Sequence, residues 1–294
     1  MAAESANQER SWLYDTDAGR MTRKALFVIT IVVFALFLLF PLYWIIVTAF
    51  KTTAEVQSPP PTFYPHEPAV EGFRIALSPH RGRPFEMYIL NSLGIATAAG
   101  ILAVIIGTPA AYVLSRKKII GRRVIMAVLL LALMFPGAAI IVPMWELMSD
   151  IGLFNTRIGL VFLYGAMTSP FVVWLMKGFF DDFPDSLLDA ARIDQCSSWE
   201  MARYVVAPMS RSSIVASFVF CFLIAWNEMI FALVMLTNES RYTVPIGLFA
   251  YVTDFNVQWH TAMASSILVS IPVLLALIYI QRYIAEGVTG GAVR

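Results

Sequence analysis

Charge is what this sequence has least of. Asp, Glu, Lys and Arg make up 14% of its 294 residues, against about 25% in an ordinary soluble domain. Apolar residues reach 59%, which excludes both a typical cytosolic enzyme and a disordered chain. The net charge is only +1, so no positive field is available for nucleic acid and no nucleic-acid partner is expected. Cysteine is almost missing. Cys196 and Cys221 cannot build a disulfide framework or a metal cluster, and they read as structural thiols. The three histidines, His66, His80 and His260, have no Cys or Asp beside them at metal-ligand spacing, so no metal site is expected. No nucleophile triad can be assembled, and no Gly-x-x-x-x-Gly-Lys-Ser/Thr run occurs. The chain therefore has no phosphate-binding loop of its own, and no catalytic residue is expected.

Long uncharged runs are what the sequence does have. A helix needs about 20 apolar residues to cross the hydrocarbon layer. Ala25–Phe50, Met87–Ser115, Val124–Trp145, Ile158–Met176 and Thr261–Gln281 contain no charge, and Ser212–Asn238 contains only Glu228. Backbone groups in lipid must bond within their own segment or close a barrel. Runs of this length without two-residue alternation predict an all-α membrane protein with six transmembrane helices, at about 25–50, 87–115, 124–145, 158–176, 212–238 and 261–281. Span 2 has small residues four apart, at Gly94 and Ala98, Ala96 and Gly100, and Gly107 and Ala111. That spacing lets helix backbones approach closely.

Lys and Arg near the span ends set the orientation. They cluster in the arm over residues 1–24, after span 2 (Arg116, Lys117, Lys118, Arg122, Arg123) and after span 4 (Lys177, Arg192, Arg203, Arg211). Both termini are therefore expected in the cytoplasm, with residues 25–294 forming a single membrane domain. The polar arm precedes a run too long for a signal-peptide core, so span 1 reads as retained. The stretch from Lys51 to Glu86 holds seven of the sixteen prolines and reads as an extended outer loop.

The connection between spans 4 and 5 is too long for a simple turn. Its pattern predicts two short helices. The first begins near Pro184, with Leu187, Leu188 and Ala191 on one side. The pattern breaks at Gln195 and Cys196. Ser197-Ser198-Trp199-Glu200 then fits a capping box, and Pro208 ends or kinks the second helix.

Asp189-Ala190-Ala191, followed by Asp194, Gln195 and Val205-x-Ala-Pro208, resembles the "EAA" signature of ABC importer permeases. The spacing agrees throughout. Asp189 stands for Glu, Gln195 for Gly, Val205 for Ile and Ala207 for Leu. A glycine at the fourth landmark permits positive φ at a tight turn; a glutamine there must strain the turn or adopt another. Ala225-Trp226-Asn227-Glu228, Ile151–Thr156, Asn91-Ser92, Thr243–Leu248 and Glu286–Val293 resemble segments of the smaller permease of the maltose and glycerol-phosphate importer class.

The resemblance implies that residues 25–294 form an ABC transmembrane domain. Its elbow is a coupling helix seated in a cleft of a separate ATPase, with Asp189, Ala190, Ala191, Asp194 and Gln195 at the contact and Asp189 facing an ATPase arginine. It also implies a second permease, an ATPase dimer that holds ATP and Mg, an extracytoplasmic solute-binding protein, and residence in the inner membrane of a prokaryote. The outer segment from Thr237 to His260 would reach the binding protein, through Tyr251, Phe255 and Trp259. The glycine-rich tail resembles one that inserts between ATPase subunits.

Glu228 is the one carboxylate within a span, and a centred charge costs roughly 2.5–3.5 kcal/mol on insertion scales. Two readings stay open for Trp226, Asn227 and Glu228. They line a sugar path together with Asn91, or they lock span 5 against a neighbour. At the level of the whole chain, the leading reading is a sugar-importer permease. The alternatives are an ion-coupled secondary transporter, for which one intramembrane carboxylate is little, and an ABC permease for a non-sugar solute.

Overall fold

The computed structural model describes residues 17–78, 85–253 and 256–291. They form helices α1 (Asp17–Ala49), α2 (Thr53–Gln57), α3 (Glu71–Leu77), α4 (Phe85–Arg116), α5 (Arg122–Met134) and α6 (Ile141–Asp150). The chain continues through α7 (Arg157–Asp181), α8 (Asp185–Ile193), α9 (Ser198–Met201), α10 (Ala207–Met209), α11 (Arg211–Asn227), α12 (Ile230–Met235), α13 (Val244–Phe249) and α14 (Trp259–Gly291). One antiparallel pairing, Val252–Thr253 with Asn256–Val257, interrupts the helical pattern.

Among the described residues, four helices are long and apolar enough to cross a bilayer: α1, α4, α7 and α14. Six crossings result only if each of two bent helix pairs counts as one. This differs from the unbroken runs read at 124–145 and 212–238. The first bends by 96° between Met134 and Gly137. Pro136 has no N–H, and its ring drives Phe135 out of the helical region, to φ −71° and ψ 128°. The second run stops being helical at Asn227, because Glu228 is extended at φ −73° and ψ 125°. The second of the two bent pairs lies on the other side of α11, where a 74° bend sets the helical stretch Ser198–Met209 against Arg211–Asn227.

The centre of the bundle is the α4–α7 pair, with α11 packed on both. Small residues make this possible. A Cβ on Gly107 would lie 2.7 Å from the Val172 Cβ, and one on Gly165 would lie 2.8 Å from Leu102 Cδ2. Gly100 likewise faces the Phe218 ring at 3.0 Å. Two apolar clusters follow along this axis. One contains Phe85, Ile95, Leu160, Tyr164, Trp226 and Phe231. The other, at the elbow end, contains Ala111, Val172, Met176, Phe180, Leu188 and Val206. In contrast, α1 packs on α14 and leaves almost its whole apolar length uncovered. In water that would be untenable, and in a bilayer hydrocarbon covers it.

Candidate functional site

The elbow begins where α7 ends. In α8 and the turn that closes it, Leu188 and Ala191 are buried while Asp189, Ala190, Arg192, Asp194 and Gln195 are exposed. Ile193 is 80% exposed at its tip. Asp189 Oδ1 accepts from Arg192 Nη1 at 2.6 Å, one helical turn away, with both side chains more than half exposed. Gln195 is left-handed, with φ +57°. The Gln195 N–H donates to the Arg192 carbonyl at 3.1 Å and the Cys196 N–H to the Ala191 carbonyl at 3.0 Å. This is the Schellman closure of a helix, built with glutamine at the position glycine prefers. The capping box follows directly: Ser197 Oγ accepts from the Glu200 N–H, and the Glu200 carboxylate accepts from the Ser197 N–H at 2.8 Å.

The Ala-Trp-Asn-Glu run lies where α11 breaks. Trp226 is 2% exposed and stacks on Phe222 with ring centroids 5.6 Å apart. Asn227 is exposed, and its Nδ2 donates to the Leu223 carbonyl at 2.8 Å. Glu228 points into the break. Its Oε1 accepts from the Phe231 N–H at 3.0 Å, and its Oε2 accepts from the Ala232 N–H at 3.2 Å and from the Tyr164 hydroxyl at 2.6 Å. The carboxylate thus caps α12, satisfying two amides that a helix start leaves without partners. Tyr164 is absent from the sequence reading, but a carboxylate inside a span requires donors from neighbouring spans, and the few hydroxyls of span 4 are where to look.

At the opposite end of the bundle, the separate motifs meet. Buried Asn91 donates through Nδ2 to the carbonyls of Ser240 and Tyr242, at 3.0 and 2.9 Å. Ser92 Oγ accepts from the Val244 N–H at 2.8 Å. Asn155, at φ +53°, accepts through Oδ1 from the N–H groups of Thr237 and Asn238, both at 3.1 Å. Asn91 and Asn155 therefore hold the segment between α12 and α13 in place. Tyr251 is half-buried, its ring 6.1 Å from that of Phe85, while Trp259 is 44% exposed. Phe255, the third residue expected to meet a binding protein, lies outside the described residues.

A helical domain with apolar helices of this length, left uncovered by the rest of the chain, is a membrane protein. Residues 103–290 match the family described as the binding-protein-dependent transport system inner membrane component, and the chain belongs to that family. It is similar to the inner membrane ABC transporter permease protein YcjP of Escherichia coli, with 31% identity over 89% of this chain and 93% of that one. It is also similar to the diacetylchitobiose uptake system permease protein DasC of Streptomyces coelicolor, with 30% identity over 90% of this chain and 95% of that one. A solved bacterial ABC transporter involved in the import of the acidic polysaccharide alginate shares the fold. The TM-score is 0.78 at 22% identity, covering 91% of this chain and 98% of that one. The chain is thus a multi-pass inner-membrane permease of a binding-protein-dependent importer, a transport component rather than an enzyme.

Proposed function

We propose that the chain is one of two permeases enclosing a path for a sugar or sugar derivative. A binding protein delivers the solute, and a separate ATPase pair, carrying ATP and Mg, drives the cycle. The carbohydrate assignment is supported by the Ala-Trp-Asn-Glu run, by diacetylchitobiose uptake through one relative and by alginate import through a transporter of the same fold. The six crossings are α1, α4, the bent α5–α6 stretch, α7, the broken α11–α12 stretch and α14, with residues 25–294 as one domain. Both termini and the elbow then lie in the cytoplasm.

The observation that carries coupling is the two-sidedness of α8: Leu188 and Ala191 face inward, while Asp189, Ile193 and Asp194 project outward. Asp189, Ala190, Asp194 and Gln195 would seat in a cleft of the ATPase, whereas Ala191, expected at the same contact, is buried beside Leu188 and supports the helix from within. Docking requires Asp189 to exchange Arg192 for an arginine of the ATPase. An exposed ion pair is worth about 0–1 kcal/mol, so the exchange costs little. ATP binds the two conformations of the transporter unequally, and that difference moves the elbow.

In the path we place Asn227, whose side chain is exposed. Buried Trp226 and capped Glu228 shape the wall behind it, and Asn91 positions the far end. Tyr251, Phe255 and Trp259 serve the binding-protein contact, with Trp259 the more accessible of the two described ones. Asp189→Lys in the complete transporter should abolish uptake and weaken ATPase retention. Normal ATP-dependent uptake by that variant would remove the coupling role. The purified chain alone should hydrolyse no ATP.

A further inference from the structure

Arg116 is the last residue of α4, yet its side chain reaches across the turn that joins α7 to α8. Nη2 donates to the Phe180 carbonyl at 2.5 Å and also to the Phe183 carbonyl, both before the elbow. Nη1 donates to Asp185 Oδ1 at 2.5 Å, in the first turn of α8. The guanidinium also lies over the Phe183 ring, 5.8 Å from its centroid. The Arg116 side chain is 15% exposed, so its two bonds to the Phe180 and Phe183 carbonyls are partly buried, whereas the Asp185 carboxylate is open to water. The residue before it grips the same turn: Ser115 Oγ donates to Asp181 Oδ1 at 2.7 Å, while Arg122 and Lys177 pair with that carboxylate.

Two bonds before the turn and one after it fix the angle between α7 and α8 from a third helix. A planar fork of donors is suited to this, and a lysine ammonium cannot span the same acceptors in fixed directions. We propose that Arg116 is a positioning residue that makes the inner end of α4 and the elbow one rigid body, so that elbow movement enters the bundle through α4 as well as through the spans flanking the elbow. The α4–α7 pair at the centre of the bundle would then turn as a unit. This inference rests on the coupling reading of the elbow.

The test uses the complete transporter, with partner permease, ATPase pair and binding protein, reconstituted in lipid vesicles. Spin labels are placed at Ile120 and Ile193, 100% and 80% exposed, in a Cys196→Ser, Cys221→Ala background. The distance between them should be the same without nucleotide and with ATP trapped. In Arg116→Lys it should change or broaden between the two states. Solute imported per ATP should fall by about tenfold, the order expected for losing one charge-assisted hydrogen bond. Asp185→Asn, altering the exposed partner, should show the same effect more weakly and guards against failure of Arg116→Lys to assemble. A distance that already changes in the parent, or an unchanged import-to-ATP ratio in both variants, overturns the inference. Asp189→Lys separates the two ideas. If it uncouples transport while the Arg116 and Asp185 variants do not, the elbow reading stands and this one fails. If it does not uncouple transport, the elbow reading itself fails.

Discussion

The Tyr164 hydroxyl donates to Glu228 Oε2 at 2.6 Å, joining α7 to the point where α11 breaks. The same carboxylate caps α12 through the Phe231 and Ala232 amides. A charge that is costly within a span thus becomes the joint of a two-part helix.

Tyr164→Phe removes one hydrogen bond to that carboxylate and should destabilise the chain by about 1.5–3 kcal/mol. Combined with Glu228→Gln in a double-mutant cycle, read from denaturant unfolding in micelles, the pair should show coupling well outside the roughly 0.3–0.5 kcal/mol scatter of independent sites. Additive effects would mean that the contact carries no energy.

Gln195→Gly should stabilise the elbow. The left-handed conformation costs a non-glycine residue about 1–2 kcal/mol, and glycine removes most of this, offset in part by the greater conformational entropy it gives the unfolded chain. Slower amide exchange at position 195 and at Cys196, corrected for the change in intrinsic rate and without loss of transport, is the expected result.

Close approach in the bundle predicts a contrast between two glycines of α4. Gly107→Leu must displace Val172 and should cost about 1–3 kcal/mol as overpacking. Gly94→Ala meets nothing within 4 Å and should not destabilise the helix, since alanine is the better helix former. Thermal inactivation of the assembled complex measures both.

The loop after α1 should respond to acid through Glu55. The Thr62 hydroxyl donates to its Oε1 at 2.7 Å, and the His66 N–H and ring add further contacts to the same oxygen. These hold the carboxyl at about 2, below its ordinary 4.5. Because the folded value is depressed, the contribution is complete above about pH 4.5 and fades as pH falls toward 2. Amide protection over residues 62–66, corrected for intrinsic exchange, should weaken in that window and not between pH 7 and 5. Glu55→Gln should abolish the dependence.

The two short helices between α7 and α11 were legible in detail. Pro184, the break at Gln195 and the Ser197–Glu200 box all stand where the pattern puts them. Capping and turn chemistry act over three or four residues, so they can be read locally. The broken spans were not. Hydropathy registers an apolar run and is blind to direction, so Pro136 and Glu228 sit inside runs that look continuous. Trp226 illustrates the same gap. Its identity fits either a sugar-stacking platform or a core residue, and only the rotation of α11 places it against Phe222.

What the sequence alone determined was the class: helices long and apolar enough for a bilayer, and a polar elbow between two of them. Each backbone bond of a helix closes within four residues, so composition and spacing suffice. What only the tertiary structure decided was which distant side chains meet, as Tyr164 with Glu228, Asn91 with Ser240 and Tyr242, and Arg116 with Asp185. Those pairs lie 64 to 151 residues apart. Their contact depends on how helices rotate and bend against one another, which is set by the summed packing of the bundle.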